Sequence, residues 1–248
     1  GATSNSRLGV DVAAAGDIDG DDCDDFVVGA DADDLGGSNQ GSLRVFWGDG
    51  VGCSGPAVTT LIVDQNNARF GDSVAAGMDG DGDGVPDLIG GAYGYDDGLV
   101  DRGAAFWVDG AWVAGLARDS APGWSLPDDG SATTHIVPDD GRILGETERE
   151  ELGRGVSFVD DPHSNRALVA VGSRFGNGGA GGVGIWSVEG GVVAEQPYAI
   201  VSGETLAPWG QLGDEVQGHP DAPIVVIGAP FGEGEWIDQG AVYPFTLP

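Results

Sequence analysis

The sequence contains no lysine. Its ten basic residues are all arginine, at positions 7, 44, 69, 102, 118, 142, 149, 154, 166 and 174, and they stand against 41 Asp and Glu, a formal net charge of −31. Such a surface repels nucleic acid and anionic lipid and favours cations, high salt or basic partners. Part of that acidity also reads as solubility or salt adaptation. Long apolar runs are missing too, so no membrane-spanning helix is expected. Residues 1–20 lack the basic and apolar segments of a secretory signal, and an exported protein would have shed that signal from this chain. Histidine is scarce: His135, His163 and His219 adjoin no recognisable Ser or Cys nucleophile motif, and GxSxG is absent. The glycine-rich run at 176–184 has neither the Lys nor the following helix of a phosphate loop, and reads as a hairpin connection. Acidic residues are too abundant for any pair to be singled out as a glycosidase dyad.

Glycine is plentiful, with 47 residues beside 13 Pro, yet Val, Ile, Leu, Phe and Trp recur in short blocks. Short strands joined by glycine-rich turns fit that composition, and no segment has helical spacing over twelve or more residues. The chain also repeats itself. A first anchor is an apolar residue followed by Gly: Leu8-Gly9, Phe70-Gly71, Leu152-Gly153 and Trp209-Gly210. A second closes an apolar run, FVVGA (26–30), LIGGA (88–92), VAVGS (169–173) and VVIGA (225–229). A third ends at Trp47, Trp107, Trp186 and Phe245. First anchors lie 62, 82 and 57 residues apart, which places an insertion in the second unit at about 110–142 and reads it as an elaborated loop or extra hairpin. The four units run over about 1–64, 65–144, 145–202 and 203–248, taken as one domain.

Each unit orders a small-residue strand, a strand ending in Gly-Ala or its equivalent, a strand ending in an aromatic, and a weaker fourth such as AVTTLIV (57–63) or YAIVS (198–202). Four antiparallel strands per repeat describe a propeller blade, with the small first strand lining a crowded axis. The expected fold is therefore an all-β propeller of four-stranded antiparallel blades, the last of which ends before its outer strand. These units resemble FG-GAP repeats, the blades of integrin alpha-subunit propellers and of many bacterial surface proteins. The likeness is carried by Phe70-Gly71, by Gly228-Ala229-Pro230 with partial versions at 29–30 and 91–92, and by two Asp-rich loops.

Those loops explain why GDIDGDDCDDFVVGA (16–30) gathers so much like charge before an apolar strand. Counting from Asp17, carboxylates stand at positions 1, 3, 5 and 9: Asp17, Asp19, Asp21 and Asp25. The second unit repeats the offsets with Asp79, Asp81, Asp83 and Asp87. Alternate residues of a tight turn can aim their carboxylates at one centre, as a hard divalent cation requires. Position 6 is Gly84 in one loop, suited to positive φ, and Asp22 in the other. An EF-hand is excluded, because position 12 is Val28 or Gly90 rather than Glu and no flanking helices are expected. In units three and four Leu168 and Ile224 replace the closing Asp, so two calcium ions are expected, structural rather than catalytic. The resemblance adds the backbone carbonyls of Cys23 and Val85 as further ligands.

The two cysteines, Cys23 and Cys53, fall in loops that leave an antiparallel blade on the same edge. A disulfide between them would brace the first Asp loop and imply an oxidising compartment; the alternative is two unrelated thiols. At the other end of the blades, the loops after the second strand offer Tyr93, Tyr95, Arg102, Arg174 and Trp236 as ligand-contacting residues, while Phe175 and Phe231 read as packing between blades. The function expected is a secreted, extracellular, periplasmic or cell-surface module, stabilised by calcium, that binds a protein or glycan. Nucleic acid and membrane insertion are not expected. The incomplete fourth blade leaves three readings open: a compact four-bladed propeller, a piece of a longer chain, or a protomer that self-associates to complete its ring with another chain. No catalytic residues are nominated. The competing readings are a hydrolase or lyase using the insertion as a lid over His135, and a purely structural segment of a larger surface protein.

Overall fold

A computed structural model describes residues 5–48, 53, 57–120, 132–161, 167–206, 211–219, 222–230 and 240–247. The described residues are all-β in character, with antiparallel sheets and three helical turns of four or five residues. In the first unit, β1 (Val12–Gly16), β2 (Asp25–Ala30), β3 (Ser42–Trp47) and β4 (Ala57–Ile62) pair antiparallel in that order. The apolar runs of β2 and β3 are covered on both faces, which is why they show no alternation of polar and apolar residues.

The second unit forms β5 (Phe70–Met78), β6 (Asp87–Ala92) and β7 (Ala104–Val108). The chain then leaves the sheet through a helical turn, α1 (Gly110–Ala114), capped by Asp109, whose carboxylate accepts the Trp112 amide at 2.9 Å. Two short strands follow, β8 (Asp119–Ser120) and β9 (Thr134–Ile136), before β10 (Arg142–Leu144) returns to pair with β7 as the fourth strand of its own sheet. The insertion is thus neither a free loop nor a self-contained hairpin. β8 pairs antiparallel and β9 parallel with β4 of the first unit, covering what would otherwise be that sheet's open edge. Spacing located the insertion but held no record of its destination, because the pairing is made with another unit's backbone.

The third unit contains β11 (Leu152–Asp160), β12 (Ala167–Ser173), a helical turn α2 (Gly176–Gly179), β13 (Gly182–Glu189), β14 (Val192–Val193) and β15 (Ala199–Ser202). Both β14 and β15 pair with β13, so the outer position is shared by two pieces. After a last helical turn, α3 (Gly203–Leu206), the fourth unit has β16 (Glu215–His219), β17 (Ala222–Ala229) and β18 (Ala241–Thr246). Among the described residues this sheet is three-stranded with β18 at its edge.

The sheets meet face to face, and the apolar core lies between successive units. Leu43, Trp47, Phe70, Leu88 and Phe106 fill the space between the first and second, Phe70 meeting Phe106 edge-on at 5.6 Å. Trp107, Val156, Val169 and Trp186 lie between the second and third, and Leu168, Ile185, Leu212 and Ile227 between the third and fourth. The first strands pack in sequence, β1 on β5, β5 on β11 and β11 on β16. Together they line a cavity of about 370 Å³.

One contact recurs at all three junctions and explains the two glycine anchors. A side chain on Gly29 would collide with the Gly71 carbonyl oxygen, one on Gly91 with that of Gly153, and one on Gly172 with that of Gly213. The second-anchor glycine of each unit is a notch that receives the first-anchor glycine of the next. Parallel bridges Gly41–Phe70, Gly103–Leu152 and Gly181–Leu212 flank these notches. Their amides bond in register: Phe70 N to Gln40 O at 3.0 Å, Leu152 N to Arg102 O at 3.2 Å and Leu212 N to Ala180 O at 3.1 Å. The fourth first anchor is accordingly Leu212-Gly213. The Trp209-Gly210 expected from sequence lies outside the described residues, three residues before the pair that makes this contact.

Candidate metal centres

Both Asp loops connect the first and second strands of their sheets, and they share one hydrogen-bond pattern. In the first, Asp17 accepts the amides of Gly20 at 2.7 Å, Asp21 at 3.1 Å and Asp22 at 2.9 Å. In the second, Asp79 accepts Gly82 at 2.6 Å and Gly84 at 2.9 Å. Position 3 accepts the amide of position 5 in each, Asp19 from Asp21 at 3.3 Å and Asp81 from Asp83 at 3.0 Å. Position 5 accepts that of position 7, Asp21 from Cys23 at 2.9 Å and Asp83 from Val85 at 2.7 Å. Position 6 takes positive φ in both, +68° at Asp22 and +91° at Gly84.

The closing residues, Asp25 and Asp87, are almost wholly buried at the start of β2 and β6. Each carboxylate bridges its loop to the end of the third strand. Asp25 accepts the amides of Ile18 and Gly48, both at 2.9 Å, and Asp87 those of Gly80 at 2.6 Å and Gly110 at 2.9 Å. Burial pushes Asp25 above the usual carboxylate range and Asp87 up to about 7, against those amide bonds, with neighbouring Asp charges adding to the rise. Burial also raises Asp81, whereas at Asp17 it is outweighed by the three amides, which hold that carboxyl low.

Oxygens of Asp17, Asp19 and Asp25 lie within 4.8 Å of one another, as do those of Asp79, Asp81 and Asp87. Asp21 falls outside the first trio, while Asp83 joins Asp81 and Asp109 in a further one. These all-oxygen carboxylate clusters fit a divalent cation, since an amide bond to one lone pair leaves the other available. Sequence reasoning missed Asp109, which belongs to no repeat position and arrives as the cap of α1. It missed Arg118 too. This insertion residue places a guanidinium nitrogen 2.7 Å from Asp19 and lies 3.8 Å over the Trp47 ring, so one Asp loop carries a built-in cation and the other a fifth carboxylate. In unit three, Leu168 at the closing position is a buried core residue.

Cys23 and Cys53 are joined by a disulfide, their Cα atoms 5.3 Å apart, tying position 7 of the first loop to the segment between β3 and β4. It closes a loop with a sequence separation of 30. Chain-entropy reasoning gives about 3.6 kcal/mol for such a loop. The double variant Cys23→Ser/Cys53→Ser is expected to lose that amount of stability in urea unfolding, with a larger m-value because its unfolded chain is no longer cross-linked. Alkylation of two thiols in the unreduced native protein would remove the premise.

The residues nominated for ligand contact have partners within the protein. Tyr93 is half-buried beneath Arg154, whose guanidinium sits 3.4 Å from its ring centre. The Tyr95 hydroxyl accepts from Arg142 at 3.1 Å, and its ring meets Phe106. Arg102 donates to the carbonyls of Gly145 and Asp97. Arg174 donates to Gln211 at 2.7 Å and lies 3.4 Å from Asp214. Trp236 and Phe231 lie outside the described residues. His135 sits on β9, its Nε2 3.2 Å from the Ala117 carbonyl oxygen, holding the insertion to itself.

Near Tyr93, Asp72 is largely buried between Arg154 at 3.3 Å and Arg7 at 4.0 Å. Burial pushes its carboxyl up to about 6 despite the pull of Arg154, with Asp31 adding to the rise and Arg7 opposing it. The folded chain then holds this proton more tightly than the unfolded chain. Stability from this group is complete below about pH 4 and is lost as pH rises to about 6, by about 3 kcal/mol at most. Asp72→Asn is expected to flatten that decline in urea midpoints measured across the window. Parallel profiles for the two proteins would refute the assignment.

No helix among the described residues is long and apolar enough to cross a membrane. No family model matches the chain. Over 108 residues it is 37% identical to integrin alpha-5 of Xenopus laevis, a stretch covering 42% of this chain and 10% of that protein. The matched stretch is thus about a tenth of the relative's length and carries a partial, integrin-like similarity within an all-β fold.

Proposed function

We propose that this chain is a propeller-type array of FG-GAP-like blades, stabilised by two calcium ions and serving outside the cell as an adhesion or binding module for a protein or glycan. The observation that carries the reading is the pair of Asp loops, whose carboxylates at positions 1, 3, 5 and 9 accept amides at the same offsets in both units, with one extra amide on Asp17. One ion would be held by Asp17, Asp19, Asp21 and Asp25 with the Cys23 carbonyl, the other by Asp79, Asp81, Asp83 and Asp87 with the Val85 carbonyl, and Asp109 would add charge to the second. Calcium suits an all-oxygen shell of six to eight ligands in a flexible loop. The ions are structural in this reading, because each loop joins two strands and its closing Asp ties in the end of a third.

The integrin-like stretch and the disulfide support an oxidising, extracellular setting. Sequential packing of β1, β5, β11 and β16 around one cavity supports the blade arrangement. Calorimetric titration of the chelated protein is expected to reveal two calcium ions per chain, with Asp17→Ala removing one and Asp79→Ala the other. Cells should attach to a surface coated with the chain and be released by chelator. Absence of calcium binding, or attachment indifferent to it, would overturn the proposal.

A further inference from the structure

A groove of about 410 Å³ runs between the outer strands of the second and third units, floored by the buried side chains of Ile143, Val183 and Trp186. One wall is β10, the edge strand of its sheet. The opposite wall exists because the outer position of the third sheet is divided between β14 and β15. The chain between them is anchored at each end, the Ala194 amide on the Ser187 carbonyl at 2.9 Å and the Tyr198 amide on the Ile185 carbonyl at 2.6 Å, and residues 195–197 leave the ladder opposite Trp186. The Trp186 ring lies over Gly184, where any side chain would strike it. On β15, Ile200 also lines the groove and is 65% exposed.

The charges around this apolar floor are nearly all of one sign. Asp140, Glu146, Glu150 and Glu195 line the groove against one cation, Arg142. That arginine is already committed: its guanidinium lies 3.3 Å from Asp97 and 3.5 Å from Asp139, and it donates to the Tyr95 hydroxyl at 3.1 Å. Glu150 uses only Oε2, which accepts the amides of Glu146 and Thr147 and the Thr147 hydroxyl. The carboxylates of Asp140, Glu146 and Glu195 are exposed and have no hydrogen-bond or ion-pair partner among the described residues.

We infer that this groove takes an extended segment of a partner protein in which basic side chains alternate with aliphatic ones. Charge complementarity selects the basic residues: three uncommitted carboxylates, on a chain of net charge −31, attract Lys or Arg and repel an acidic segment. The floor and Ile200 select the aliphatic ones, because covering them removes apolar surface from water. Alternation lets a single strand present one kind of side chain to the floor and the other to the rim. The extended form has a precedent inside the molecule. In the first unit the outer strand, β4, is extended by two strands of the insertion, β8 and β9. β10 is the corresponding strand of the second unit and among the described residues pairs only with β7, so its edge offers the same kind of addition. The inference rests on the binding-module reading and names a site and a partner class for it; no lining residue belongs to either Asp loop.

Fluorescence anisotropy of a labelled short peptide alternating Val and Lys, titrated with the full chain, tests it. The expected result is one peptide per chain, with a Val-Glu counterpart bound about a hundredfold more weakly and an all-Lys peptide of equal charge about tenfold more weakly. Glu195→Lys should weaken the Val-Lys peptide about tenfold and Ile200→Ser about fivefold, whereas Asp64→Lys, an equal charge change at an exposed position of the first unit, should shift it by less than about twofold. All three positions are at the surface, and unchanged melting temperatures confirm that the variants fold. No binding, equal losses in Glu195→Lys and Asp64→Lys, or a preference for the all-Lys peptide would each overturn the inference, the last two by assigning attraction to overall acidity. A chain that binds two calcium ions and holds cells while ignoring the Val-Lys peptide would lose this inference alone. Peptide binding that persists in a chain without calcium binding would keep it while the calcium reading fell.

Discussion

Chelation with EGTA is expected to lower the melting temperature by about 10–20 °C. An ion that binds only the folded chain and is present at a hundred times its dissociation constant stabilises it by about 2.7 kcal/mol, so two sites give about 5 kcal/mol. For a chain of this size each kcal/mol moves the midpoint by about 2–4 °C. The sign follows from the loops themselves. Each crowds three carboxylates within 4.8 Å, and in each the closing Asp is buried, so without a cation the folded chain keeps like charges together that the unfolded chain separates. Returning calcium should restore the midpoint; magnesium should restore it less, since it dehydrates reluctantly and demands tighter octahedral geometry. Asp79→Asn/Asp81→Asn should abolish about half the chelator effect. A melting curve that chelator leaves in place would eliminate a structural role for the ions.

Gly153→Ala is expected to cost about 5 kcal/mol, a large effect for a single methyl group. Two terms add. Gly153 has φ +94°, where an L side chain is strained by about 1–3 kcal/mol. The added methyl would also strike the Ala104 carbonyl oxygen and the Ala92 amide across the junction between the second and third units, and overpacking against backbone cannot be relieved by a rotamer change. Gly228→Ala is the matched control in the fourth unit, where the nearest atom is a side-chain carbon at 3.3 Å; a change of about 1 kcal/mol or less is expected there. Equal losses at the two positions in urea unfolding would mean that the glycines serve turn geometry alone and not the approach of one sheet to the next.

Much of this was legible in the sequence because it repeats. A glycine packed against a carbonyl of the next unit has no room for a side chain, so Gly29, Gly91 and Gly172 stand out as a period, as do Gly71 and Gly153. Position-by-position agreement of the Asp loops has the same origin, since the carboxylates at positions 1, 3, 5 and 9 each accept an amide within the same nine residues. The cysteine pairing followed once both loops were placed on one edge of a sheet. Where an anchor residue changed character, the reading slipped: Leu212 is less conspicuous than Trp209, and only the φ of +95° at Gly213 and the bridge to Gly181 mark the true position.

By itself, then, the sequence determined the all-β class, the order of the first three strands in each repeat and the two acidic loops, because all of these are written in local spacing and recur. Only the tertiary structure decided where the insertion goes, that Arg118 and Asp109 reach the acidic loops, and that Tyr93, Tyr95, Arg102 and Arg174 have partners inside the protein. Those outcomes depend on contacts between residues far apart in the chain. Such a contact leaves no period behind, since each partner is chosen by the shape and charge of a surface that exists only after the sheets have stacked.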